Sequence, residues 1–148
     1  MSPKPETAPF RLRLTLPLPP AGVNHAYMNV VRKAVSGKRY SARKLTPAAE
    51  FWRDCAADMA IEAMSKAGLK LIEREKFSVD MVIWFRDKRS QVDGDGIQKL
   101  PLDALKKIVY SDDKFALPRV LDYHFDATEP RIEMTISCPP TSLVELSS

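Results

Sequence analysis

The segment 46–68, TPAAEFWRDCAADMAIEAMSKAG, limits the fold more than any other. Thr46 offers a side-chain oxygen as N-cap, and Pro47 has the fixed φ that suits the first helical position. Apolar pairs then return every four residues: Phe51 and Trp52, Cys55 and Ala56, Met59 and Ala60, Ala63 and Met64. This spacing predicts an amphipathic helix with the stripe in the core. Lys66 suits the negative end of the helix dipole, and Gly68 ends the helix. Such a helix has to bury its stripe against another layer.

The flanking segments supply that layer. FRLRLTLPL alternates Phe10, Leu12, Leu14 and Leu16 with Arg11, Arg13 and Thr15, the pattern of a half-buried strand. Pro17, Pro19 and Pro20 end it, and the stretch up to Leu45 reads as loop or hairpin. FSVDMVIWF, residues 77–85, is a second strand, followed by the basic turn RDKRSQ. A second helix is predicted over about 95–109, with Asp95 able to cap it. Strands follow at 119–126 and 130–138, and the short turn between them predicts an antiparallel pair. The order β-α-β-α-β-β implies a small α/β (α+β) domain: a mixed sheet of about four strands with helices on one face.

One domain over residues 10–138 fits the 148-residue length, with 1–9 and 139–148 as flexible tails. A hydrophobic content of 45% suffices for a core. No apolar run is long enough to span a membrane, and the start MSPKPETAPF lacks the apolar region of a signal peptide. Cys55 and Cys138 lack metal-ligand spacing. They read as buried free thiols, in keeping with a reducing cytoplasm.

Charge is distributed unevenly. The net charge is +4, yet residues 7–49 hold no acid at all. Arg11 and Arg13 lie there, together with Arg32, Lys33, Lys38, Arg39, Arg43 and Lys44. A segment that cannot neutralise itself attracts a polyanion, and a phosphate backbone is the commonest one. A solvated loop with surplus bases would look the same.

Against this background, VDGDGIQKLPLDALKKIVYSDDK at 92–114 gathers Asp93, Asp95, Asp103, Asp112 and Asp113 around Lys99. Clustered short carboxylates are hard oxygen ligands of the kind that Mg²⁺ takes. A straight helix of about 15 residues is roughly 22 Å long. Its two acidic ends therefore meet only if it stops early and the chain folds back, or if a partner chain contributes. A salt-bridged helix face offers a plainer account, because Asp95, Lys99, Asp103 and Lys107 are spaced i,i+4. DGDG resembles a calcium loop, but Ile97 and Gln98 occupy positions that need an oxygen ligand and a glycine. His25 and His124 are unrelated in position. His25 suits phosphate or water, and His124 reads as a satisfied sheet residue. Tyr27 and Tyr40 suit base stacking or packing. No nucleophile elbow or P-loop occurs.

Together these motifs resemble the RusA-type Holliday junction resolvases. PPAGVN at 19–24 is similar to the family's proline-rich turn and places Asn24 at its asparagine. GKRYSARK is similar to its basic stretch. DGDGIQK, then LDAL at 102–105, then Asp112 and Asp113 follow its main signature D-x-D-N-x-x-K, L-D-A-L, D-D. The resemblance spans roughly 10–138. It implies catalytic metal-binding acids at Asp93, Asp95 and Asp113, a catalytic lysine at Lys99, and supporting roles for Asp103 and Asp112. It implies DNA contacts from Asn24, Arg32, Lys33, Lys38, Arg39, Arg43, Lys44 and Arg89. It further implies a homodimer that nicks a four-way DNA junction symmetrically with Mg²⁺, or Mn²⁺ in its place, in recombination and repair. No membrane and no small-molecule cofactor is implied. Gly96 departs from the family's asparagine, and Val92 from its basic residue or proline. A non-catalytic DNA-binding module and a less selective branched-DNA nuclease are the rival readings.

Overall fold

Alternation along the first strand, β1 (Phe10–Pro17), is realised: Leu12, Leu14 and Leu16 are buried, while Arg11, Arg13 and Thr15 face solvent. The structure is a computed structural model. It describes residues 9–20, 27–92 and 94–142, with the backbone alone at 27–32, 40–43 and 94–96. After β1 come β2 (Tyr27–Lys33), β3 (Arg39–Leu45), helix α1 (Pro47–Ala67), β4 (Phe77–Phe85), helix α2 (Gly94–Leu105), β5 (Ala116–Phe125) and β6 (Arg131–Cys138). Four strands form a mixed sheet in the order β1-β6-β4-β5, and β2 and β3 form a separate two-stranded sheet. The segment open to loop or hairpin is thus a hairpin. Its turn uses Gly37 at φ +87°, a left-handed conformation that glycine adopts without strain.

One pairing differs from expectation. β5 and β6 are not neighbours: β4 lies between them, parallel to β5 and antiparallel to β6. The link 126–130 wraps the end of β4. Asp126 N–H donates to the Phe85 carbonyl at 2.8 Å. The Asp126 carboxylate accepts from Thr128 N, Glu129 N and Arg131 Nη1, at 3.0, 3.1 and 3.0 Å. These bonds hold its pKa below the usual carboxylate range, the Glu129 amide most of all. The Arg131 guanidinium then covers the Trp84 ring, 4.1 Å from its centroid. Two ladder spacings are only about 10 Å, so a link of this length can cross over one strand as easily as it can join two neighbours.

α1 has the expected ends. Thr46 Oγ1 accepts from Ala49 N at 3.3 Å, and Gly68 adopts φ +64°, with its N–H facing the Met64 and Ser65 carbonyls. One member of each apolar pair is buried, namely Trp52, Ala56, Ala60 and Met64, while Phe51 is 72% and Met59 39% exposed and Ala63 packs only partly against the core. Adjacent residues sit about 100° apart around a helix, so a single packed face takes one and leaves the other outside. Trp52 Nε1 donates to the Pro17 carbonyl at 2.9 Å, fastening α1 to β1. Replacing Gly68 by alanine meets no atom within 4 Å of the new Cβ. The expected loss of about 1–2 kcal/mol in chemical denaturation is therefore the backbone cost of φ > 0 alone.

β4 is the central strand, buried on both faces. Phe77, Val79, Met81, Ile83 and Phe85 join the core with Ile132, Met134 and Ile136 of β6. On its opposite face lie Ser78 and Asp80. Asp80 is 5% exposed and is gripped by Arg119 Nε at 2.6 Å and Nη2 at 3.0 Å. Both cysteines are free and half-buried rather than fully buried. The Cys138 thiol donates to Glu75 Oε2 at 3.3 Å, and burial together with that carboxylate pushes its pKa up to about 11. Among the described residues, no helix is long and apolar enough to cross a membrane.

Candidate active site

α2 begins at Gly94 and ends at Leu105, four residues short of the expected Val109. Asp95 is accordingly inside the first turn instead of capping it, a position where the helix dipole still favours an acid. Further along, Lys99 Nζ lies 3.8 Å from Asp103 Oδ2, and both side chains are partly exposed. The i,i+4 pairing anticipated for this helix therefore does form at one of its steps.

The early end of α2 redirects the chain. Lys107 takes a left-handed φ of +71°, and its N–H donates to the Tyr110 carbonyl at 2.7 Å. Val109 O accepts from Ile72 N at 2.9 Å, and Ser111 N donates to Ile72 O at 2.8 Å. Between these anchors the Tyr110 ring is buried. It stacks on Phe77 at 4.5 Å, and its hydroxyl donates to the Leu102 carbonyl at 2.6 Å. The returning segment is thus tied to α2, to β4 and to the loop before β4.

This anchoring delivers Asp112 and Asp113 to α2. Lys106 Nζ is 3.8 Å from Asp112 Oδ1 and 4.0 Å from Asp113 Oδ1. Asp112 caps a short 3₁₀ turn (Asp113–Phe115), accepting from Lys114 N at 3.1 Å, and that bond is the main reason its pKa is lowered. Burial, then the negative charges of Asp113 and Asp103, push the Tyr110 phenol well above its ordinary pKa. One buried ring therefore senses both acids. Asp103, Asp112, Asp113, Lys99 and Lys106 form one charged neighbourhood along α2 and its return.

Asp93 lies outside the described residues, as does the side chain of Asp95. Among the described residues, no group of three or more His, Cys, Asp or Glu is arranged to hold a metal ion. Asp103, Asp112 and Asp113 do not close such a site by themselves. Sequence reasoning missed Lys106 and Tyr110. The pair LKK signalled a base, but its direction depends on the left-handed turn at Lys107.

The expected DNA contacts fall mostly on the β2–β3 hairpin. Lys33, Lys38, Arg39 and Lys44 are exposed there. Arg32 and Arg43 sit on its strands, opposite Tyr40 and Asn29. The side chains of Arg32, Arg43, Tyr27 and Tyr40 lie outside the described residues, and so do Asn24 and His25. Arg89 is exposed on a separate 3₁₀ turn (Lys88–Ser90), which Asp87 caps by accepting from Ser90 N and Ser90 Oγ, both at 2.9 Å. His124 is a sheet residue, as expected, 3.5 Å from Asp122 Oδ2 and 5.2 Å from the Trp84 ring.

A family model described as endodeoxyribonuclease RusA covers residues 17–137. No curated protein matches the chain.

Proposed function

The chain belongs to the RusA endodeoxyribonuclease family, and from that premise we propose that it is a Mg²⁺-dependent nuclease resolving four-way DNA junctions by paired symmetric nicks. It acts as a homodimer, since two matched cuts call for two sites related by a two-fold axis. Its place is the cytoplasm, where two free thiols stay reduced.

The observation that supports this reading most is the return of the chain at 106–113, which sets Asp113 4.0 Å from Lys106, just past the end of α2, and brings both Asp113 and Asp103 of α2 to bear on the Tyr110 phenol. Asp93, Asp95 and Asp113 would hold the divalent ion. The donor set is made of short carboxylates, so it fits a hard cation. When bound, Mg²⁺ or Mn²⁺ supplies a polarised water and charge neutralisation at phosphorus. Lys99 sets a cation beside the phosphate to offset negative charge that develops there. Asp103 orients Lys99 through their ion pair. Asp112, occupied as a cap, fixes the turn from which Asp113 projects. The hairpin cations hold phosphates away from the cut, giving affinity and position without reading sequence.

Incubation of the protein with an end-labelled synthetic four-way junction tests the proposal. Two symmetric nicks are expected with Mg²⁺ and none in EDTA. Binding without nicking in either Mg²⁺ or Mn²⁺ would identify a DNA-binding module, and Gly96 would be the first residue to examine. Equal cutting of a flap and a plain duplex would identify a less selective nuclease. Lys38→Ala combined with Arg39→Ala should weaken junction binding and lower the slope of log K against log salt by up to about 2. An unchanged slope would remove the hairpin from the DNA contact.

A further inference from the structure

The core face of the sheet is not fully covered. On β5, Val120 is 37% and Tyr123 50% exposed, although both lie on the face that β4 buries with Met81 and Ile83. Between β4, β5 and the loop before α2 lies a cleft of about 340 Å³, lined by Phe85, Val92, Val120, Tyr123, Lys88 and Gln91 among others. Resting on the nuclease reading above, we propose that this cleft receives one unstacked nucleobase of the DNA substrate, from a nucleotide near the scissile phosphate.

Four observations carry this assignment. The walls combine apolar and aromatic groups, with Tyr123 and Phe85 packed edge to face at 6.2 Å and 64°. Aromatic rings bind bases of any sequence, because every base has a π face. Gln91 adds an amide that can pair with a base edge. Val92 forms one wall and is bonded directly to Asp93, one of the proposed metal ligands. Finally, Arg86, Lys88 and Arg89 stand exposed in the adjoining turn, and none is in an ion pair among the described residues. The one acid in that turn, Asp87, is committed to Ser90, whose bonds lower its pKa.

That surplus of charge also distinguishes occupants. A second copy of this chain docking on the same patch about a two-fold axis would bring like charges together, whereas a DNA strand would neutralise them. The volume is at the low end for ligand clefts and suits one planar ring system rather than a helix or strand. A base held here would make cleavage sensitive to the nucleotide beside the cut. The phosphate contacts of the hairpin cannot supply that sensitivity.

The test avoids dependence on cleavage. Junctions carrying 5-iodouracil at each position flanking the branch are irradiated with the protein in EDTA, and the adducts are mapped by mass spectrometry. Cross-links at Tyr123 are expected from one or two positions only. In parallel, Tyr123→Ala should weaken junction binding about tenfold. Tyr123→Phe should bind within about twofold of wild type, because it keeps the ring. Val120→Trp, which fills the cleft, should behave like Tyr123→Ala. Adducts confined to other residues, or Tyr123→Ala and Val120→Trp both binding like wild type, would overturn the assignment. Nicking by the unmodified protein is scored separately, so failure of the nuclease reading and failure of the base cleft give different results.

Discussion

Asp113→Asn is expected to lower the single-turnover rate of junction cleavage by about a thousandfold or more, while junction binding is kept or tightened. The substitution removes one negative charge and keeps the shape of the side chain. A metal ion contributes several kcal/mol of transition-state stabilisation in phosphoryl chemistry, and each 1.36 kcal/mol is tenfold in rate. Losing a ligand carboxylate should forfeit most of that. The fold should be untouched, since Asp112 and not Asp113 caps the 3₁₀ turn and Tyr110 anchors the segment through Leu102 and Phe77. Binding should not suffer, because DNA phosphates gain from one fewer anion near Lys106. Asp95→Asn should act in the same direction. Cleavage by either variant at a wild-type rate would remove that residue from the metal set.

Asp80→Ala is expected to destabilise the protein by about 3–5 kcal/mol. Asp80 sits on the central strand with its side chain 4% exposed, and it receives two bonds from Arg119 at 2.6 and 3.0 Å. Removing the acid strands a guanidinium that is itself largely out of water. At the usual size scaling this corresponds to a fall of roughly 10 °C in Tm. Denaturant unfolding should show a lower midpoint at an unchanged slope, the signature of a stability change alone. Because a buried pair costs desolvation on both sides, replacing both partners by apolar residues, as in Asp80→Leu with Arg119→Met, should recover much of the loss. A single variant as stable as wild type would mean that the pair is open to solvent in solution.

The parts of the fold that sequence disclosed were those governed by local chemistry. Thr46, Pro47 and Gly68 mark α1 because capping needs only the residues at a helix end, and β1 declares itself through Leu12, Leu14 and Leu16. The placement of β5 was not legible. Whether a short link joins neighbouring strands or steps over one depends on what waits at the end of β4, here Phe85 and Trp84, distant in sequence from residues 126–130. The end of α2 was misjudged for a related reason. KKIV continues the helical pattern, yet Ile72 draws Val109 and Ser111 into its own hydrogen bonds, and the helix stops at Leu105. That same competition brings Asp113 to α2. Asp113 and Lys99 were proposed as site residues from the family resemblance, whereas Lys106 and the cleft at Tyr123 follow only from the tertiary arrangement.

The claim at the centre of this account is that Asp93, Asp95 and Asp113 converge on one divalent ion. Anomalous diffraction from crystals of the protein grown with Mn²⁺ tests it most directly. The account predicts a peak within bonding distance of carboxylate oxygens from all three residues. Strong Mn²⁺ peaks located only elsewhere, with Asp113 turned away from Asp93 and Asp95, would contradict it.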